Sequence, residues 1–252
     1  MADRTALVTG ASRGLGRAIA ERLAADGVLV AVHYGTNKTA ALETVARIEA
    51  AGGRAFPVEA DLERDNGVES LFAGLSEGLG GRPLDILVNN AAVLSEGIDA
   101  SEAEFDRAFR INVRAPFFII QRALPLLRDG GRIINISSGV TWFAVPEVVY
   151  AMTKGALNVL GRGLANTLGE RGITVNTVSP GITRTDMNSW LDEVPGASEG
   201  VAGMVALGRV GEPEDIADAV AFFASPDGRW VTGQVLDVNG GLYLGPKAQL
   251  QH

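Results

Sequence analysis

Short apolar runs alternate with longer amphipathic stretches along almost the whole chain. Thr5-Ala-Leu-Val-Thr9 reads as a strand that stops at Gly10, and Arg17–Asp26 carries apolar residues at helical spacing until Gly27 ends it. Gly27-Val-Leu-Val-Ala-Val-His33 returns as a second strand, which makes a βαβ unit. The alternation then repeats. Thr39–Ala51 predicts a helix, Arg54–Val58 a strand, Asn66–Gly80 a helix and Leu84–Val88 a strand. Ser101 with Glu104 has the spacing of a capping box, opening a helix that carries Asn112. Arg132–Ile136 is a strand, and a helix of about three or more turns starts at Tyr150, with Leu157, Leu160 and Leu164 on one stripe. Ile173–Val178 and Gln234–Val238 are the last strands, with the Pro213–Ala224 helix between them. Residues 183–208 have an irregular pattern.

Strands that alternate with helices in this way predict an α/β fold. The expected architecture is one doubly wound, mostly parallel seven-stranded sheet of the Rossmann type with helices on both faces. No repeat, low-complexity tract or linker divides the chain, so residues 1–252 are expected to form one domain. In such sheets ligands bind beyond the carboxyl ends of the strands. Those ends carry Gly10–Gly16, His33–Lys38, Asp61, Asn89–Ala92, Ser137, Ser138 and Ser179–Gly181, with Tyr150 and Lys154 opening the helix beside them. Scattered caps and turns do not predict such a gathering at one rim.

Composition removes several chemistries. Hydrophobic residues make up 46% and charged residues 21%, a globular balance. No apolar run approaches the roughly 18 residues needed to cross a bilayer, and the first residues have no signal-like apolar core. A soluble, cytoplasmic protein without membrane contact is the expectation. Zero cysteines exclude thiolate chemistry, and His33 and His252 alone do not build a histidine triad or a multi-histidine metal site. A net charge of −8 argues against nucleic-acid binding.

Two local patterns carry chemistry. Gly10-Ala-Ser-Arg-Gly14-Leu-Gly16 spaces its glycines as Gly-x3-Gly-x-Gly, which departs from the general dinucleotide fingerprint. It reads either as a phosphate cradle at a helix start or as a tight turn without a ligand. Tyr150 and Lys154 lie four apart on one helix face. A cation near a phenol favours the phenolate and draws its pKa toward an acid/base range, although the same spacing also occurs as an ordinary helix contact.

In order and spacing the chain resembles the short-chain dehydrogenase/reductase family over nearly its whole length. The motifs that carry this are Thr9-Gly-Ala-Ser-Arg-Gly-Leu-Gly16, Asn89-Asn-Ala91, Asn112, Ser137-Ser138, Tyr150-x3-Lys154 and Pro180-Gly181, then Gly208–Ala217 and Thr232–Gly241. Ala92 stands where the family commonly has glycine. The resemblance implies a reductase or dehydrogenase for a small-molecule carbonyl or alcohol, similar to 3-oxoacyl-acyl-carrier-protein reductases. Tyr150 would be the general acid/base, Lys154 would lower its pKa and hold the nicotinamide ribose, and Asn112 would hold a relay water. Gly10, Ser12, Arg13, Gly14, Leu15 and Gly16 would hold the cofactor phosphates. Asp61 and Leu62 would meet the adenine, Asn89 and Ala91 the neighbouring ribose region, and Pro180, Gly181, Thr183 and Thr185 the nicotinamide amide. A cofactor-sensing protein of the same fold without turnover is the alternative.

Four finer expectations follow. The stretch after the second strand, His33-Tyr-Gly-Thr-Asn-Lys38, has no acid to accept from a ribose 2′-hydroxyl. Arg13, with Lys38, Tyr34, Thr36 and Asn37, would instead meet a 2′-phosphate, so the expected cofactor is NADP(H). Residues 183–208 would be a substrate lid, with Trp142, Phe143, Val145, Met187 and Trp190 lining an apolar pocket. A homotetramer is expected through Ala156, Leu157, Leu160, Leu164 and Leu168, and through Val235, Leu236 and Val238. The family's spacing back from Tyr150 reaches Ser137, whereas its place after the strand is Ser138. A strand fixes side-chain direction and a loop absorbs a deletion, so Ser138 is chosen for the substrate oxygen.

Overall fold

The computed structural model describes residues 4–242 and 244, so the ends of the expected 1–252 domain lie outside the described residues. Seven strands form one sheet in the order β3-β2-β1-β4-β5-β6-β7. They are β1 (Thr5–Val8), β2 (Leu29–Tyr34), β3 (Arg54–Glu59), β4 (Leu84–Asn89), β5 (Leu127–Ile136), β6 (Thr174–Pro180) and β7 (Val235–Val238). Every strand pair is parallel, where a mostly parallel sheet was expected. Each crossover therefore needs a helix, and each face of the sheet must be covered.

The side-chain alternation of the strands assigns the helices to the faces. Ala6, Val8, Val30, Val32, Ile86 and Val88 pack under α1 (Gly14–Ala25), α2 (Lys38–Ala50) and α9 (Pro213–Ala224). Leu7, Ala31, Leu87, Ile133 and Val175 face the other way, under α3 (Gly67–Leu79), α5 (Ala115–Ala123) and α6 (Val148–Leu168). A one-residue slip in any strand would exchange these sets, so both buried faces pin the register. The strand order reverses between β1 and β4, which opens a crevice beyond their carboxyl ends.

Four boundaries differ from the sequence reading. First, α1 begins three residues before Arg17, because Gly14 and Gly16 lie inside its first turn. Second, α6 begins at Val148, so Tyr150 sits within its first turn. Third, the helix that carries Asn112 is α4 (Glu102–Phe109) joined to α5 through a π turn at Arg110–Arg114. Fourth, 183–208 is not irregular: it holds α7 (Trp190–Glu193) and α8 (Ala197–Met204), with Leu191, Val201 and Val205 in a small core of their own beside Val210 and Leu242. These helices are short and broken by Pro195-Gly196, too brief for a periodic signal.

Candidate functional site

The strand ends converge around the crevice as their order demands. Gly10 has φ 64° and Gly14 φ 54°, which only glycine adopts without strain. Gly16 has no room for a side chain, since a Cβ there would meet the Gly10 carbonyl at 2.1 Å. The loop is thereby folded onto the start of α1. Arg13, at the cap position, makes no side-chain cap and the first turn holds no acid, so its amides are left without a side-chain partner. A pyrophosphate suits that donor set, and the residues fit a dinucleotide. Thr185 comes within 3.7 Å of a Cβ built on Gly14, which brings the 183–208 segment against the loop.

Thr9, Asn90 and His33 hold this loop, and motif reading assigned them no role. The Thr9 hydroxyl accepts from the amides of Asn90 (2.9 Å) and Ala91 (3.0 Å). Asn90 Nδ2 donates to the carbonyls of Thr9 (2.9 Å) and Gly10 (3.1 Å). The Gly10 amide donates to His33 Nδ1 at 3.0 Å. Thr9 and Asn90 lie just past β1 and β4 and His33 lies in the last residues of β2, and that placement at the strand ends was the available signal.

At the other side of the rim, Tyr150 and Lys154 are buried on α6. Ser138 favours the ionised form of the phenol, but burial outweighs it and pushes the Tyr150 pKa up to about 12. Lys154 lies 5.5 Å from the Tyr150 ring centroid and donates to the Ile136 carbonyl at 2.9 Å. Burial draws its own pKa down to about 8. The expected lowering of the Tyr150 pKa by Lys154 is therefore not the governing effect here: the ammonium faces the ring and a carbonyl, and desolvation of the phenol prevails. Ser137 points elsewhere, its hydroxyl donating to the Lys154 carbonyl at 3.1 Å.

Several expected site residues are placed differently from expectation. Asn112 Oδ1 accepts from the Val93 amide at 2.9 Å, while Nδ2 donates to the Val93 carbonyl and to Thr153 Oγ1. Its side chain ties the β4–α4 loop to α6, so a water could meet only its main chain. Asn89 turns into the sheet, where Nδ2 donates to Asn135 Oδ1 at 2.9 Å, so only its backbone can reach a ribose. The β2–β3 register pairs Tyr34 with Glu59, and the phenol donates to that carboxylate at 3.0 Å. Tyr34 is thus not available as a phosphate donor. Asn37 caps α2 by accepting from the Ala40 amide, which leaves its NH2 group toward the loop. Arg13 extends across the crevice to Asp186 at 3.4 Å.

The remaining candidate residues sit beyond β3 and at the end of β6. Asp61 caps its own turn through the Glu63 amide and Arg64, above buried Leu62. Pro180 ends β6, and the Gly181 amide donates to the Val238 carbonyl. Thr183 is buried and donates to the Gly181 carbonyl at 3.1 Å. Gly97 packs against the Pro146 carbonyl, which brings the 94–98 and 140–148 loops together. Trp142 is 67% exposed, and Leu94, Met187 and Trp190 are also exposed.

A parallel sheet with a glycine cradle at the switch point, and with half-buried Ser138 and buried Tyr150 and Lys154 beside it, defines a dinucleotide-dependent oxidoreductase. Residues 10–243 match the family model described as enoyl-(acyl carrier protein) reductase. An uncharacterised oxidoreductase of Methylorubrum extorquens is 44% identical over 245 residues, covering 95% of this chain and 97% of the relative. The promiscuous reductase LugOII, which catalyses keto-reduction at C1 during lugdunomycin biosynthesis, superposes with a TM-score of 0.92 at 50% identity, covering 96% of this chain and 99% of that one. The angucycline C-6 ketoreductase LanV with bound NADP gives a TM-score of 0.92 at 49% identity, with 97% of each chain covered. LanV has also been solved with NADP and rabelomycin. The chain belongs to the short-chain dehydrogenase/reductase family.

Proposed function

We propose that this chain reduces a ketone on a fused-ring aromatic substrate, with Tyr150 as the proton donor. The chain is an NADP(H)-dependent oxidoreductase acting on a carbonyl or secondary alcohol. The observation that carries the chemistry is the Ser138 hydroxyl acting on the Tyr150 phenol beside buried Lys154. The nicotinamide supplies the hydride. Ser138 holds the substrate oxygen, and Tyr150 hands it a proton as negative charge develops. A phenol held at about 12 is protonated at neutral pH, which suits reduction. Lys154 stabilises the phenolate left behind, and Asn112 holds the relay water through its main chain. The start of α1 holds the pyrophosphate, Arg13, Lys38 and Asn37 meet the 2′-phosphate, and Asp61 and Leu62 border the adenine. Residues 183–208 act as the lid.

Likeness to LugOII and LanV supports the substrate class, and the exposed side chains of Leu94, Trp142, Met187 and Trp190 are assigned as its apolar contacts. Flat rings gain most from such side chains. NADPH absorbance is followed with rabelomycin, a bicyclic aromatic ketone and a 3-oxoacyl thioester. The fused-ring ketones should show at least about tenfold higher kcat/KM. Faster turnover of the thioester would move the assignment to acyl chains, and tight NADPH binding with no turnover of any ketone would restore the cofactor-sensing alternative.

A cytoplasmic homotetramer completes the proposal. Among the described residues no helix is long and apolar enough to cross a membrane. A groove of about 670 Å³ runs between α4, α5 and α6, lined by Phe109, Val113, Phe117, Ala156, Val159 and Leu160. Leu157 is buried and Leu168 packs into the core, so both leave the expected interface. Trp230 and, within edge strand β7, Leu236 are further exposed apolar side chains. Val159→Glu should halve the particle mass in light scattering. A wild-type monomer at micromolar concentration would overturn the assembly.

A further inference from the structure

His33 belongs to no motif used so far, yet it sits at the convergence of three strand ends. It is 2% exposed and follows Val32, the last β2 residue paired with β1. Its ring touches two loops. Nδ1 accepts the Gly10 amide at 3.0 Å, and Nε2 lies 2.9 Å from the Ala60 carbonyl. An amide can only donate and a carbonyl can only accept, so the contacts define one state: a neutral ring with hydrogen on Nε2. The main chain adds a third tie, because the Ala11 amide donates to the His33 carbonyl at 2.8 Å. Gly10 and Ala11 open the glycine loop, and Ala60 precedes Asp61 and Leu62.

The geometry points to His33 as a positioning residue for dinucleotide binding, a rigid spacer that sets the gap between the phosphate cradle and the adenine loop. This rests on the cofactor reading above. Gly10 has no side chain with which to fix its own amide, and its positive-φ conformation is one of several open to glycine. Fixing the Gly10 amide from the β2 side removes that freedom before a ligand arrives, which lowers the ordering cost of binding. Burial keeps the ring neutral and hence keeps Nδ1 an acceptor, with its pKa drawn down to about 4. The polar ring is therefore retained in the core for two contacts that no apolar residue can make.

The side-chain geometry allows the two ties to be cut separately. An Asn amide oxygen occupies nearly the place of Nδ1 and keeps the Gly10 tie. A Gln amide reaches the place of Nε2 and keeps the Ala60 tie. NADPH affinity is measured by calorimetry for wild type, His33→Asn, His33→Gln and His33→Leu, alongside KM, kcat and thermal midpoint. His33→Leu should weaken NADPH binding by about tenfold or more, the loss expected for an unsatisfied buried donor. At saturating NADPH its kcat should stay within about threefold, since no group at the Tyr150 end is touched. His33→Asn should recover most of the affinity and His33→Gln should not. If His33→Leu does not fold, the Asn and Gln pair decides. Long-range 15N correlation spectra of wild type at neutral pH should show a neutral ring protonated at Nε2, with and without NADPH. Equal NADPH affinity in the folded variants, or a ring protonated at Nδ1, would overturn the inference. A wild type that does not bind NADPH would sink the cofactor reading instead.

Discussion

The two adjacent serines give the sharpest test of the catalytic geometry. Ser138 acts on the Tyr150 phenol and favours its ionised form, whereas Ser137, one residue earlier, gives its hydroxyl to the Lys154 carbonyl at 3.1 Å. Truncating Ser138 removes a donor to the developing oxyanion, a loss of about 10²–10³ in kcat or roughly 2.7–4 kcal/mol. It also removes the Ser138 effect that opposes the burial-driven rise of the Tyr150 pKa, so that pKa climbs further. In the alcohol-oxidation direction Tyr150 must be ionised, and the acidic limb of the kcat profile, where kcat rises with pH, should therefore move to higher pH in Ser138→Ala. Ser137→Ala loses a buried hydrogen bond worth about 1 kcal/mol. It should lower the melting temperature by about 2–4 °C with kcat changed less than about threefold. Both variants are assayed by NADPH absorbance at saturating substrate and by thermal unfolding. A hundredfold drop in kcat for Ser137→Ala, with Ser138→Ala near wild type, would refute the reasoning, because the strand would then aim the other hydroxyl at the substrate.

Three more perturbations follow from the same contacts. Gly16→Ala places a Cβ at 2.1 Å from the Gly10 carbonyl, so the loop must shift and calorimetric NADPH affinity should fall by about tenfold or more; unchanged affinity would mean that the loop relaxes freely. Arg13→Ala should reduce the NADPH-over-NADH ratio of kcat/KM by about tenfold or more while leaving NADH kinetics nearly as they are, given the value of a charge-assisted phosphate contact; an unchanged ratio would assign the 2′-phosphate to Lys38 or Asn37. His33 has a folded pKa of about 4, below the ordinary 6.5. The unfolded chain then binds a proton that the native state refuses between those values, so its contribution is fully present above about pH 6.5 and declines as pH falls toward 4. Urea unfolding of wild type should lose roughly 3 kcal/mol more than His33→Asn over that window, and parallel curves for the two proteins would contradict it.

Much of the fold was legible because a parallel sheet buried on both faces writes itself as apolar runs between amphipathic helices. Strand number, strand ends and the Tyr150–Lys154 pair all follow from local spacing, and the residues at strand ends must share one rim once the crossovers are right-handed. Short helices without a period, such as α7 and α8, were not legible, nor was the π turn at Asn112. Direction of donation was hidden as well. Nothing local says that Asn112 spends its side chain on Val93 and Thr153, that Tyr34 meets Glu59 or that Asn89 meets Asn135. Those partners lie far along the chain and become neighbours only through strand register. The balance of effects on Tyr150 is of the same kind: the sequence places a cation one turn away, but burial, a property of the whole packed core, decides which way the phenol titrates. The sequence by itself thus determined the sheet, its rim and the residue types gathered there. The tertiary structure alone decided which atoms face the crevice and which are consumed in holding it open, because hydrogen-bond partners and desolvation depend on distances that no spacing along the chain records.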